Sequence, residues 1–167
     1  PEVQAVVVKG FFARLRFALS HRNVYPMSYR EGAVHWVAAR LLCGAGSEQW
    51  TYVQLSNGAD LVVPTDLPRW CVRGPEGRRV VLGAEAAGIA VSLAVLDWTV
   101  RNLAGKRAES LGHLLGVLEL FAHHQEALAI HAVLSHWCSR MVPDFGPLQC
   151  ALEPIPLGLS EELRFAD

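Results

Sequence analysis

Residues 50–64 read WTYVQLSNGADLVVP, and this stretch decides the fold. Gln49–Leu55 is rich in aromatic and β-branched residues, which suit a pleated, half-buried surface. Ser56, Asn57 and Gly58 follow. Asn-Gly between two such runs is the strongest short hairpin signal, because both residues tolerate positive φ. Ala59–Val63 reads as the returning strand, and Pro64, which has no N–H to donate, ends it. Trp70–Arg73 and Arg78–Leu82 add a third and a fourth strand around the turn residues 74–77, Gly-Pro-Glu-Gly.

Outward from this sheet the period changes to that of a helix. Upstream, Tyr29–Cys43 places Val34, Val37, Ala38, Leu41 and Leu42 on one stripe, and Gly44 and Gly46 stop it. Val3–Ser20 reads as a further helix, or as a helix after a short extended start. Downstream, three helices are expected over Ala84–Leu103, Glu109–His123 and Glu126–Met141. The fold class is therefore α+β: a small antiparallel sheet of three to four strands flanked by about five helices. One domain is expected over residues 1–142. Residues 143–167 hold four of the nine prolines and read as a Pro-rich tail, extended and draped on that domain or partly disordered.

Composition bounds the function. The 167 residues are 51% hydrophobic and 19% charged, which excludes a disordered or collagen-like chain. Net charge is −1, without the basic excess of a dedicated nucleic-acid binder or the acidic excess of a DNA mimic. The charge is uneven along the chain. Residues 1–82 hold ten basic and six acidic side chains, net +4, and residues 83–167 hold five basic and ten acidic, net −5. The plain reading is uneven surface decoration; the alternative is an electrostatic recognition face on the acidic helices and tail, with the arginines beside the sheet as its rival. No stretch reaches the ~18 uncharged apolar residues of a membrane span. Cys43, Cys71, Cys138 and Cys150 form no Cys-x-x-Cys pair and read as reduced, buried thiols in a cytoplasmic protein.

Catalytic chemistry finds little purchase. His113, His123, His124, His131 and His136 fall on the last helices, but no His-Glu-x-x-His or Glu-x-x-His occurs. Surface or capped histidines are the expectation, with no metal and no cofactor. No Gly-x-Ser-x-Gly elbow exists, so no catalytic serine is assigned. Asp97 lies in an apolar helix and is a candidate buried acid, although such a residue more often faces solvent or bonds a neighbour. Arg69, Arg73, Arg78 and Arg79 surround Trp70, a pattern that suits nucleic acid through stacking and phosphate contacts, or a charged sheet edge.

Two segments carry a resemblance. The first is Trp50, Tyr52, Leu55, Ser56, Asn57 and Gly58, running on to Val62, Val63 and Pro64. The second is residues 83–89, GAEAAGI, leading into an apolar helix. Together they resemble the ArdB/KlcA antirestriction proteins of plasmids and mobile elements. That family has a tryptophan strand, a Leu-Ser-Asn-Gly turn, a strand ending in Ala-Pro, and an Ala-(Asp/Glu)-Ala-Ala-Gly-Ile helix start about 20 residues later. Residues 123–127, HHQEA, are similar to its His-Pro-Glu-Ala helix start. The resemblance covers roughly residues 20–136. Ala59 stands where the family has a second glycine, and the chain is less acidic than its relatives.

The resemblance implies relief of type I restriction of incoming DNA, with no cofactor and no catalytic residue. The partner it implies is the host type I restriction-modification system or an accessory protein. A nucleic-acid-binding accessory module of a mobile element is the alternative, and the histidines alone speak for a metal enzyme. The candidate interaction or motif residues are Trp50, Tyr52, Asn57, Gly58, Pro64, Glu85, Gly88, Glu119 and Glu126. As residues, most read as scaffold: Asn57 and Gly58 set hairpin register, Gly88 lets a helix approach the sheet, and Glu85 suits a helix N-terminus.

Overall fold

The computed structural model describes residues 3–7, 27–44, 49–102, 107–141, 148, 152, 165 and 166. The strands are β1 (Ala5–Val7), β2 (Trp50–Leu55), β3 (Asp60–Pro64), β4 (Arg69–Arg73), β5 (Arg79–Gly83) and β6 (Phe165–Ala166). The helices are α1 (Met27–Leu41), α2 (Ala84–Asn102), α3 (Arg107–Ala122) and α4 (Ala127–Met141), with a 3-10 turn at Pro75–Gly77. The α+β class is as expected. Four helices stand among the described residues. At the N-terminus the extended start is present as β1, and the helix expected to follow it lies outside the described residues.

The strands do not form one meander. They form two antiparallel three-stranded sheets, ordered β1-β2-β3 and β4-β5-β6. Residues 65–68, Thr-Asp-Leu-Pro, separate β3 from β4, and each sheet is completed from an end of the chain. β1 pairs with β2 in the register Ala5 to Leu55, and β6 pairs with β5 in the register Val80 to Phe165. Such pairings join residues far apart in sequence, so local turn signals do not reveal them.

The hairpin at residues 55–60 also differs from the simplest reading. The Gly58 N–H donates to the Leu55 carbonyl at 3.0 Å, and the Leu55 N–H to the Ala59 carbonyl at 2.8 Å. Gly58 has φ +87°, whereas Asn57 keeps an ordinary negative φ. The chain makes a tight turn followed by a left-handed glycine, the three-residue hairpin with a bulge, instead of a two-residue primed turn.

The core forms around α2. Every residue from Ala86 to Asp97 on this helix is buried. It packs on β3, α1, α3 and α4. Its buried face is small where it meets the sheet, at Ala86, Ala87 and Gly88, and large further on, at Ile89, Leu93 and Leu96. The second sheet turns Trp70, Val72, Val80 and Leu82 into the same core, with Arg69, Arg73 and Arg79 on its outer face. Leu148 and Leu152 are buried in the core as well. None of the helices is long and apolar enough to cross a membrane, among the described residues.

Candidate functional site

The motif residues gather at two junctions, where helices meet the sheets. At the first, the hairpin tip is tied to α3. The Asn57 amide donates to the Gly116 carbonyl at 3.0 Å and to Glu119 Oε2 at 2.9 Å. Its own Oδ1 accepts the Ala59 N–H at 3.1 Å, closing a turn within the loop. The helix comes this close because residue 116 has no side chain. A Cβ there would lie 2.5 Å from Ala59 Cβ. One turn back along α3, His113 Nδ1 stands 2.8 Å from the buried Asp60 carboxylate.

At the second junction, α2 lies against β3 and the start of α4. A Cβ on Gly88 would fall 2.5 Å from the Val62 carbonyl oxygen and 2.9 Å from Val63 Cα. One turn on, Ser92 Oγ accepts the Val62 N–H at 3.0 Å, so a strand donor is satisfied by the helix facing it. Glu85 projects to solvent in the first turn of α2. The carboxylate that takes an amide at this helix N-terminus is Glu126, whose two oxygens accept the Gly83 N–H at 3.1 and 3.2 Å. The Glu126 N–H in turn donates to His124 Nδ1 at 3.0 Å. Pro64 is buried at the end of β3, opposite Trp50.

Sequence reasoning missed several groups. Asp60 and His113 are one: an acid inside a strand and a histidine one turn from a leucine stripe were each legible, but not their pairing. A second is an aromatic surface around Trp36, which is 38% exposed. Its ring lies 6.2 Å from that of Trp137, edge-on, and 6.4 Å from that of Trp98, with the Arg40 guanidinium 3.8 Å above it. Trp50 meets His35 edge-on at 6.5 Å, and Tyr52 is half-buried. On α3, Leu111 and Leu115 are exposed.

The buried acid Asp97 holds structure. Its Oδ2 accepts from Arg101 Nε at 2.8 Å, and its Oδ1 accepts the Leu148 N–H at 3.0 Å. Burial and the Asp97 carboxylate push the neighbouring Cys138 thiol up to about 12, so it stays protonated. His136 is shifted down by burial and then by Arg140. Among the described residues no three His, Cys, Asp or Glu side chains converge as a metal site would require.

The arginine group is split from its aromatic partner. Trp70 faces inward and donates its Nε1–H to the Leu67 carbonyl at 3.0 Å, so it offers no stacking platform. Arg69, Arg73, Arg78 and Arg79 remain exposed, and Arg73 stands directly opposite Arg79. Arg78 lies 3.9 Å from Glu76.

The comparisons with known proteins bear on the same two junctions. The sequence model of the antirestriction protein family matches residues 45–135, which run from before the hairpin through most of α4. No curated protein matches the sequence. A solved structure of the KlcA and ArdB proteins is similar at a TM-score of 0.69 and 25% identity, over 80% of this chain and 97% of that chain. Those proteins show a novel fold and antirestriction activity against type I DNA restriction systems in vivo but not in vitro.

Proposed function

Since the chain belongs to the antirestriction protein family, we propose that it relieves type I restriction of incoming DNA by non-catalytic contact with the restriction system or an accessory protein of the host. The observation that carries the reading is the use to which the motif residues are put. Asn57, Gly58, Gly88, Glu119 and Glu126 are engaged in fixing the hairpin and α2 against their neighbours. Groups bound in this way hold a surface in shape, which supports a non-catalytic reading. The protein acts in the cytoplasm, where restriction meets incoming DNA, and belongs to plasmid-type or other mobile elements, as the resemblance implies.

The test is plating. Unmodified phage is titred on a host with an active type I system, with and without the protein, and again on a host lacking that system. Efficiency on the restricting host rises when the protein is made and is unchanged on the other. Equal plating with and without the protein on the restricting host refutes the reading.

One observation favours a second reading, a nucleic-acid-binding module. Like charges directly opposite across a sheet are destabilising, and Arg73 opposite Arg79 is such a pair. A polyanion laid on this face relieves the repulsion. With Trp70 turned inward, contact is to phosphates, so duplex DNA is retarded in a gel shift that weakens steeply as salt rises. No shift at low salt removes this reading and leaves the first untouched.

A further inference from the structure

Cys43 and Cys71 take no part in either junction. Cys43 follows α1, and Cys71 sits at the middle of β4. Leu42 forms an antiparallel bridge with Val72, which sets Cys43 opposite Cys71. The Cys43 N–H donates to the Cys71 carbonyl at 2.8 Å, fixing that register. Residues opposite one another in antiparallel pairing have Cα atoms roughly 4.5–5.5 Å apart. A disulfide needs about 4.4–6.8 Å. Opposite residues also send their side chains to the same face, and the Cys43 thiol is near enough to Cys71 to help raise its pKa. Both are unpaired and half-buried, so small reagents reach them, whereas Cys138 is sealed in the core.

The surroundings do not trap either sulfur. The Cys71 side chain leaves the strand on the same face as Arg69 and Arg73, and the positive charge of Arg79 favours its thiolate. Burial and the Cys43 thiol act the other way and are stronger, so the Cys71 thiol is pushed up. The Cys71 thiol is therefore protonated at neutral pH, and its reaction speeds up as pH rises.

We propose that Cys43 and Cys71 form a dithiol site that a low-molecular-weight disulfide oxidises to an intramolecular disulfide, fixing the end of α1 to β4. One thiolate attacks a sulfur of the small disulfide, forming a mixed disulfide and releasing one small thiolate. The second cysteine thiolate then attacks the protein sulfur, forming the Cys43–Cys71 bond and releasing the other small thiolate. The two protein thiols lose two electrons and two protons, and the small disulfide becomes two thiols. The α1 end is then held to the second sheet covalently as well as by the Leu42–Val72 bridge.

The experiment uses the full chain and glutathione disulfide at pH 8. After quenching in acid, free thiols are blocked with N-ethylmaleimide and the peptides are mapped by mass. The expected product is 2 Da lighter, carries two blocked cysteines instead of four, and yields one peptide pair linked through residues 43 and 71. The link persists in C138A and C150S and is lost in C43S and C71S. Its thermal midpoint is higher by on the order of 5–10 °C, and dithiothreitol reverses the rise. Cys43 and Cys71 both blocked at equilibrium with excess glutathione disulfide overturn the proposal. So does a bond from either to Cys150, a stable glutathione adduct, or a midpoint that falls on oxidation. The wild-type map decides the matter even if a serine variant fails to fold.

Discussion

Replacing Gly88 with alanine sets two effects of opposite sign against each other. Gly88 lies inside α2, where alanine is favoured over glycine by about 1 kcal/mol. Propensity alone therefore predicts a more stable protein. The structure predicts the reverse. The new Cβ would sit 2.5 Å from the Val62 carbonyl oxygen and 2.9 Å from Val63 Cα, both backbone atoms of β3 that cannot rotate away. Ordinary contact requires α2 to retreat by close to an ångström. Overpacking of this kind costs about 1–3 kcal/mol. The retreat also stretches the buried hydrogen bond from the Val62 N–H to Ser92 Oγ, now 3.0 Å, and leaving that donor unpaired costs about 1–3 kcal/mol. The two costs exceed the gain, for a net loss of about 3 kcal/mol and a midpoint lower by roughly 6–12 °C. Gly112→Ala is the internal control. It lies in α3, is exposed, and a Cβ there meets nothing within 4 Å, so only the propensity gain operates. Urea and thermal unfolding of the two variants beside the parent make the measurement. Gly88→Ala as stable as the parent or Gly112→Ala would refute the close helix–strand approach.

Four further outcomes are expected. Asn57→Ala loses the bonds to Gly116, Glu119 and Ala59 and lowers stability by about 1–2 kcal/mol in urea unfolding; Asn57→Asp does not restore it, because it sets a second carboxylate against Glu119. Asp97→Leu strands the Arg101 guanidinium and the Leu148 N–H, lowering stability by about 3–5 kcal/mol and speeding amide exchange at Leu148. Since the folded state lowers the His136 pKa, folding binds fewer protons there; the contribution is intact above the ordinary value of 6.5 and is lost as pH falls through it. His136→Gln flattens that part of the stability profile between pH 7.5 and 5. Cys138, with its thiol pushed up to about 12, resists iodoacetamide at pH 8 in the native protein and reacts only in denaturant.

What could be read from the sequence was what local chemistry decides. Asn57 and Gly58 announced a hairpin, and the helical period over Ala84–Leu103 announced α2. The turn type was not legible, because Asn57 is held by Gly116 and Glu119, some 60 residues away. The division into two sheets was hidden for the same reason: β1 and β6 come from opposite ends of the chain. Glu85 was the natural candidate for the α2 N-terminus on proximity alone. The structure brings Glu126 there from 43 residues away and leaves Glu85 in water. Trp70 shows the limit of composition: an aromatic among arginines suggests stacking, but strand alternation turns it inward and the arginines outward.

This division of labour bears on where activity is to be sought. Several motif residues that carry the resemblance fold the chain: Gly88 stands where no side chain fits between a strand and a helix, and Asn57 where its amide ties the hairpin to α3. Such positions tolerate little change whatever surface lies above them, so a family pattern built on them marks the fold and is silent on the contact face. It follows that Gly88 or Asn57 variants lose antirestriction in proportion to lost stability and regain it when stability is restored elsewhere. A contact residue behaves otherwise: its variants fold normally and fail in plating. Exposed positions outside the motif are the ones to screen by that criterion, Trp36 and Arg40 on α1, Leu111 and Leu115 on α3, and Arg73 and Arg79 across the second sheet. The three groups differ in chemistry, aromatic, aliphatic and cationic. The group whose loss abolishes relief without shifting the unfolding midpoint therefore also reports what kind of surface the partner presents.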